Sequence, residues 1–303
     1  MLALICEKCG GKLTLQNNKI AYCENCGTEF SIMHSKDGIS NLNIDNYLMI
    51  AREAFDAGNN EVAEKYCNKI IENDPYISEV LLLKGKAVGW QSTLNFFRFK
   101  EAAICFSKAY NSASSEEESK EIHEQVEKEY TDLATSLIRL RCDRFMKWPD
   151  VDESMGFKGD LNEIKEAIFI YYQETRHKVN GNQVFSNVST MVKNCMAYVS
   201  KTILLEYRLS RTREAYYEFR DKIENCVDIM KRTIDLCDDD NKSDIVLYKL
   251  SIDMLEMLIE QNTTDQIRDR WGAYTNTPRL SLVEQTKVNN IINEYRYKIS
   301  RLK

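Results

Sequence analysis

Three prolines in 303 residues leave this chain few places where it has to stop being helical. Proline removes a backbone donor and clashes with the preceding turn, so each one tends to mark an end. Pro75, Pro149 and Pro278 all stand where helical text breaks off, and the 11 glycines are sparse too. A turn-rich β architecture does not fit such punctuation, and long helices are expected. The apolar share of 43% is enough to bury a sizeable core, and the length suits about two domains.

The exception is the beginning of the chain. Of the 10 cysteines, four form two close pairs, Cys6 with Cys9 and Cys23 with Cys26. The other six, Cys67, Cys105, Cys142, Cys195, Cys226 and Cys237, are scattered singly through helical text. This distribution fits a metal site plus buried free thiols in a reducing compartment better than a disulfide framework. Each Cys-x-x-Cys pair can fold as a tight knuckle that brings both sulfurs within ~2.3 Å of one ion. Between the knuckles, Lys12–Gln16 and Lys19–Tyr22 alternate as strands do, with a turn at Asn17-Asn18, and Glu29–Ile32 supplies a third strand. So short a segment cannot bury enough surface to fold alone, and metal binding would supply the missing free energy. Four thiolates suit zinc or iron, and a redox dithiol is the other available chemistry. No companion feature points to electron transfer, so a structural Zn²⁺ on Cys6, Cys9, Cys23 and Cys26 is expected. His34 follows closely, but four cysteines already fill a tetrahedron.

With both knuckles intact, residues 1–34 resemble the zinc ribbons of many bacterial proteins. Some ribbons bind nucleic acid, and the charges here do not favour it. Lys8, Lys12 and Lys19 are offset by Glu7, Glu24 and Glu29, and four thiolates on one zinc add negative charge. A docking or spacing module is the expected role.

After a polar linker over 35–44, the apolar period becomes helical. Tyr47, Ile50, Ala51 and Ala54 share one face, and Gly58-Asn59-Asn60 makes a turn. Ala63, Tyr66, Cys67, Ile70 and Ile71 form the next face, which ends before Pro75. The spacing resembles the tetratricopeptide repeat (TPR), with its period of about 34 residues, small residues in both helices and a closing proline. A looser copy follows, with Leu81, Gly85 and Val88 in one helix and Ala102, Phe106 and Ala109 in the other. Gly85 and Ala102 are 17 positions apart where Ala51 and Ala63 are 12 apart, so extra residues lie within 89–98. That insertion, with Trp90, Phe96, Phe97 and the adjoining Phe99, is expected either to fold into the core or to form a contact surface. Over residues 1–111 the chain is similar to zinc-ribbon/TPR proteins of anaerobic bacteria, a resemblance that implies no activity.

The repeat resemblance does imply a groove, lined by the first helix of each pair, for an extended peptide or a helix. Carried over by position, it would show Leu48, Arg52, Phe55 and Asp56 from the first copy, and Leu82, Lys86 and Trp90 from the second. Arg52 and Lys86 could receive a carboxylate. The asparagines that clamp a C-terminal carboxylate are missing, so capture of a peptide C-terminus is not expected.

The remainder, 112–303, reads as a helical body. Ser115 to Glu118 resembles a capping box that opens a helix to about Lys147, with Leu133, Leu137, Ile138 and Leu140 as its buried stripe. Arg139, Arg141, Arg144 and Lys147 form its one dense basic cluster, with Asp143 among them. Trp148 to Gly159 reads as non-helical and as a subdomain break near 148–160, and Asp160 to Glu163 as a second capping box. Helical text then covers about 161–178, 183–208, 211–237, 243–262 and 280–301. The expected fold class is mainly α: a small β zinc ribbon, then TPR-like hairpins, then a helical bundle or solenoid.

No apolar run approaches the ~20 residues that cross a bilayer, and the start is too short and uncharged for a signal peptide, so a cytoplasmic location is expected. A formal charge of −6 gives no attraction to nucleic acid or an anionic membrane. The three histidines, His34, His123 and His177, sit in no metalloenzyme pattern, and no phosphate loop or nucleophile elbow is present. Of the lone cysteines only Cys142 has basic neighbours. The sequence therefore points to an adaptor or scaffold that binds a protein partner, with no enzyme activity and no small-molecule substrate. A nucleic-acid-associated regulator using the ribbon or the Arg139–Lys147 cluster is the alternative.

Overall fold

The computed structural model describes residues 13–17, 20–23, 25–26, 29–31, 36–177, 181–236, 244–268 and 270–302. The chain divides into two compact units, Met1–Pro75 and Tyr76–Lys303. In the first, β1 (Leu13–Asn17), β2 (Ile20–Cys23) and β3 (Glu29–Ser31) pair as an antiparallel meander in the order β1-β2-β3. Helix α1 (Lys36–Asp56) follows, so the expected linker over 35–44 is helical from Lys36 onward. Extending a helix already nucleated by Tyr47–Ala54 costs far less than starting one, which carries it through serines and asparagines of modest propensity.

Helices α1 and α2 (Asn60–Ile71) form a hairpin turned at Gly58, whose φ of 76° suits glycine. Asn59 caps α2, its Oδ1 accepting from the Val62 N–H at 3.4 Å. Ala51 and Ala63 are completely buried, small residues that let the two helices approach. Tyr47 and Tyr66 pack with ring centroids 5.6 Å apart, and the Lys69 ammonium lies over both rings.

The second unit contains α3 (Ser78–Gly89), α4 (Phe99–Asn111), α5 (Glu116–Lys147), α6 (Val151–Thr175), α7 (Gly181–Ser210), α8 (Arg213–Ile234), α9 (Asp244–Glu260) and α10 (Leu282–Leu302). The strands β4 (Thr264–Arg268) and β5 (Tyr274–Pro278) form a hairpin between the last two helices. The principal packing of each helix is on the next one or the next but one in the chain. This puts α3, α5, α7 and α9 in one layer and α4, α6 and α8 in the other, with α10 on α9. Of the bundle and solenoid arrangements left open by the sequence, the stack of hairpins is the one observed. Phe99, Phe106, Tyr130, Phe145 and Phe157 are buried between the layers, each contributing roughly 1.5–3 kcal/mol by leaving water. Among the described residues no helix is long and apolar enough to cross a membrane.

Three local expectations are corrected. Helix α6 begins at Val151, capped by Asp150, whose Oδ1 accepts from the Glu153 N–H at 2.8 Å. The break after α5 is therefore only Trp148–Asp150, and Asp160 lies inside α6 rather than at its start. Leu140 is 53% exposed, and the residue buried beside it is Arg141.

Candidate functional site

The residues expected to bind metal fall at the edge of what is described. Cys23 ends β2, and Cys26 is exposed in the turn at Asn25-Cys26 that precedes β3. Residue 24 between them lies outside the described residues, so Cys23 and Cys26 are the described half of the expected donor set. Cys6, Cys9 and His34 lie outside the described residues. Among the described residues no group of three or more His, Cys, Asp or Glu side chains could hold an ion.

The expected partner-binding residues lie in both units. On α1, Leu48 and Phe55 are half-buried and Arg52 and Asp56 are exposed. On α3, Leu82 is buried, while Lys86 and Trp90 reach toward α5. Lys86 Nζ donates to Gln125 Oε1 at 3.0 Å and lies 3.6 Å from Glu129 Oε1. The Trp90 indole N–H donates to the other oxygen of Glu129 at 3.1 Å, with the residue still 39% exposed. A partner carboxylate at Lys86 would thus have to compete with Glu129. Gln125 and Glu129 complete this face and were not singled out from the sequence. Their signal is a polar pair four residues apart on α5, beside the buried Ile122, Val126 and Leu133.

The insertion separates into two parts. Phe99 opens α4 and is fully buried, whereas Phe96 is 64% exposed at a tight turn where Thr93 and Phe96 exchange backbone hydrogen bonds. Arg141 holds this loop down, its Nη2 donating to the Leu94 carbonyl at 3.1 Å.

That contact belongs to a buried ion cluster made from the basic run. Arg141 Nε donates to Asp160 Oδ2 at 2.5 Å and its Nη1 to Glu153 Oε2 at 2.9 Å, while Arg144 Nε reaches the second Glu153 oxygen at 2.6 Å. Burial pushes the Asp160 carboxyl up to about 6 in spite of the guanidinium beside it. Gly156 makes the space, since a Cβ there would stand 2.6 Å from Arg141 Nη1. Two of the four basic residues are therefore neutralised by carboxylates of α6, and the run is not a continuous basic face.

Cys142 is not an activated thiol. The neighbouring Cys195 thiol and burial push its pKa well up, and Asp143 adds to the shift. Burial likewise raises Cys226. Cys67, Cys105 and Cys195 are buried as well, whereas Cys237 lies outside the described residues. His123 stacks on Tyr171 and is hydrogen-bonded through Nδ1 to its hydroxyl at 3.0 Å, with the His177 ring 5.4 Å away. Burial lowers the His123 pKa.

No protein-family model matches the chain, and no curated protein matches it. Among solved structures it is similar to a chain from a computational design of self-assembling cyclic homooligomers. That match has 12% identity and a TM-score of 0.27 over 88% of this chain and 94% of the other. It is also similar to a de novo designed helical repeat protein, with 13% identity and a TM-score of 0.25 over 87% of this chain and 94% of the other. At TM-scores this low neither likeness bears on what the chain does.

Proposed function

We propose that this chain is an adaptor that holds a protein partner on its helical hairpins, with a zinc ribbon as a rigid N-terminal module. The observation that carries the reading is the face shared by α3 and α5. Trp90 is fixed through its indole N–H by Glu129, yet more than a third of its surface stays open. An aromatic side chain whose orientation is already fixed loses little entropy when a partner covers it, which makes it a good anchor. Lys86, Gln125 and Glu129 surround it with donors and acceptors that can set orientation. Leu48, Arg52 and Phe55 on α1 belong to the first unit and form a separate set of proposed contacts.

Cys6, Cys9, Cys23 and Cys26 would hold Zn²⁺, which supplies folding free energy and no chemistry. The reading places the chain in the reducing cytoplasm, where its lone thiols persist as small hydrophobes. The test is purification of the tagged chain from its native cells, with elemental analysis and mass spectrometry of what accompanies it. About one zinc per chain is expected, together with a reproducible protein partner. That partner should be lost when Arg52, Phe55, Lys86 and Trp90 are changed to alanine. A preparation enriched in no protein above background counts against the adaptor, and one retaining nucleic acid in a salt-dependent way replaces it with the regulator.

A further inference from the structure

Helix α7 carries apolar residues on two faces, and packing uses only one of them. Val192, Met196, Val199, Ile203 and Tyr207 are buried, where α7 meets α5 and α8. A helix packed on one face ordinarily turns polar residues outward on the other. Here the outward face holds Tyr198 at 55% exposure, Leu205 at 62% and Leu209 at 90%. At about 100° and 1.5 Å per residue these three lie within about 40° of one another, along a strip roughly 16 Å long. Single exposed apolar residues need no explanation, but three in line on one helix do.

Positive charge runs beside the strip. Lys201 and Arg208 are exposed on one side of it, seven residues apart as Tyr198 and Leu205 are. Neither makes an ion pair among the described residues. Glu206 is the one carboxylate in α7, and it stands on the other side, taken up by Lys222 of α8 at 2.8 Å. The helices that flank α7 in its layer expose both signs, Arg139 with Asp143 on α5 and Lys249 with Asp253 on α9. The outward face of α7 is thus apolar along its middle and positive along one edge.

We propose that this strip is the docking site of an acidic amphipathic helix from a protein partner. Apolar side chains of that helix cover Tyr198, Leu205 and Leu209, and carboxylates on its flank meet Lys201 and Arg208. Both rows repeat over two turns, the repeat that a second helix presents when it lies alongside. An extended segment has no such match, because the backbone groups of α7 are used within the helix and leave no edge to add to. A second copy of the chain is disfavoured by charge. Pairing α7 on α7 would gather both copies' Lys201 and Arg208 along one seam with no carboxylate between them. A chain of net charge −6 with two free cations on a narrow strip is also poorly suited to an anionic membrane or a long polyanion. A helix of about three turns is marginal in water, so the partner segment folds as it binds. The strip shares no residue with the α3–α5 face, and either site can fail alone.

The experiment is fluorescence anisotropy of the full chain with a labelled peptide of about 18 residues, five helical turns. The peptide carries leucines along one face and glutamates beside them, and a comparison peptide has glutamine for each glutamate. The Glu peptide should bind about tenfold or more tightly than the Gln peptide, the share expected of charge-assisted hydrogen bonds. Lys201→Glu/Arg208→Glu should remove that advantage. Leu205→Ala/Leu209→Ala should weaken binding of both peptides while leaving the circular dichroism unchanged. Lys108→Glu, an exposed change on α4 in the other layer, and Trp90→Ala on the α3–α5 face should leave binding intact. Equal binding of the two peptides, or no binding at millimolar concentration, overturns the proposal and leaves the α3–α5 face to its own test. So does an equal loss in Lys108→Glu or Trp90→Ala, or displacement of the peptide by oligouridine or by phosphatidylserine vesicles.

Discussion

Arg141 is 5% exposed and makes four hydrogen bonds, two to Asp160, one to Glu153 and one to the Leu94 carbonyl. Removing one side of a buried pair costs more than the pair contributes, because the charge left behind has neither partner nor water. Arg141→Ala is accordingly expected to destabilise the second unit by about 3–5 kcal/mol in urea unfolding. Gly156→Ala should act in the same direction by about 1–3 kcal/mol, because the new methyl group displaces the guanidinium. The pH dependence has a definite sign. The folded chain holds the Asp160 proton more tightly than the unfolded chain, so this carboxyl's contribution is fully present below its ordinary value of 3.8 and is lost as pH rises through about 6. Relative to Asp160→Asn, the wild-type urea midpoint should therefore fall between pH 3.8 and about 6 and be flat above that window. A difference that rises with pH would show that the Arg141 pairing outweighs burial.

At the scale of elements, packing and capping can be ranked. A Cβ at Gly85 would lie 2.5 Å from the Phe106 ring and 3.2 Å from Cys105 Cβ, between helices buried on both sides. Gly85→Ala should cost about 1–3 kcal/mol, even though alanine is the better helix former. Ser115 caps α5 by accepting from the Glu118 N–H at 3.1 Å, and Ser115→Ala should cost about 1 kcal/mol in thermal unfolding. The capping box read from the sequence is only half made. Glu118 turns its carboxylate to the Ser114 N–H and hydroxyl and to the Ser78 hydroxyl, tying α5 to the start of α3. Helices α5 and α7 to α10 are close to the lengths read from periodicity, because a buried stripe repeats every three to four residues and is a local signal. Elements without such a stripe were not legible. The β4–β5 hairpin is mostly polar with no buried face, and Gly156 and Gly159 make the first turns of α6 look like a loop.

A stack in which each hairpin touches only its neighbours should lose structure piecewise. Ile292→Ala, at a buried position of α10, should cost about 2–5 kcal/mol and raise amide exchange in α9 and α10 before α3 and α4. Simultaneous loss of protection from α3 to α10 would mean that the second unit unfolds as one body. Among the described residues the sequence by itself determined the helical class and the boundaries of most helices. It also determined the small residues, Ala51, Ala63 and Gly85, at which the helices of a pair approach. Hydrophobic period, caps and proline stops act within a few residues, so each can be read locally. Only the tertiary structure decided that Arg141 rather than Leu140 turns inward, that Glu129 engages Lys86 and Trp90, and that the later helices stack in two layers. Those outcomes depend on which side chain a distant helix brings opposite, and the burial that makes an unpaired charge costly exists only once the helices have met.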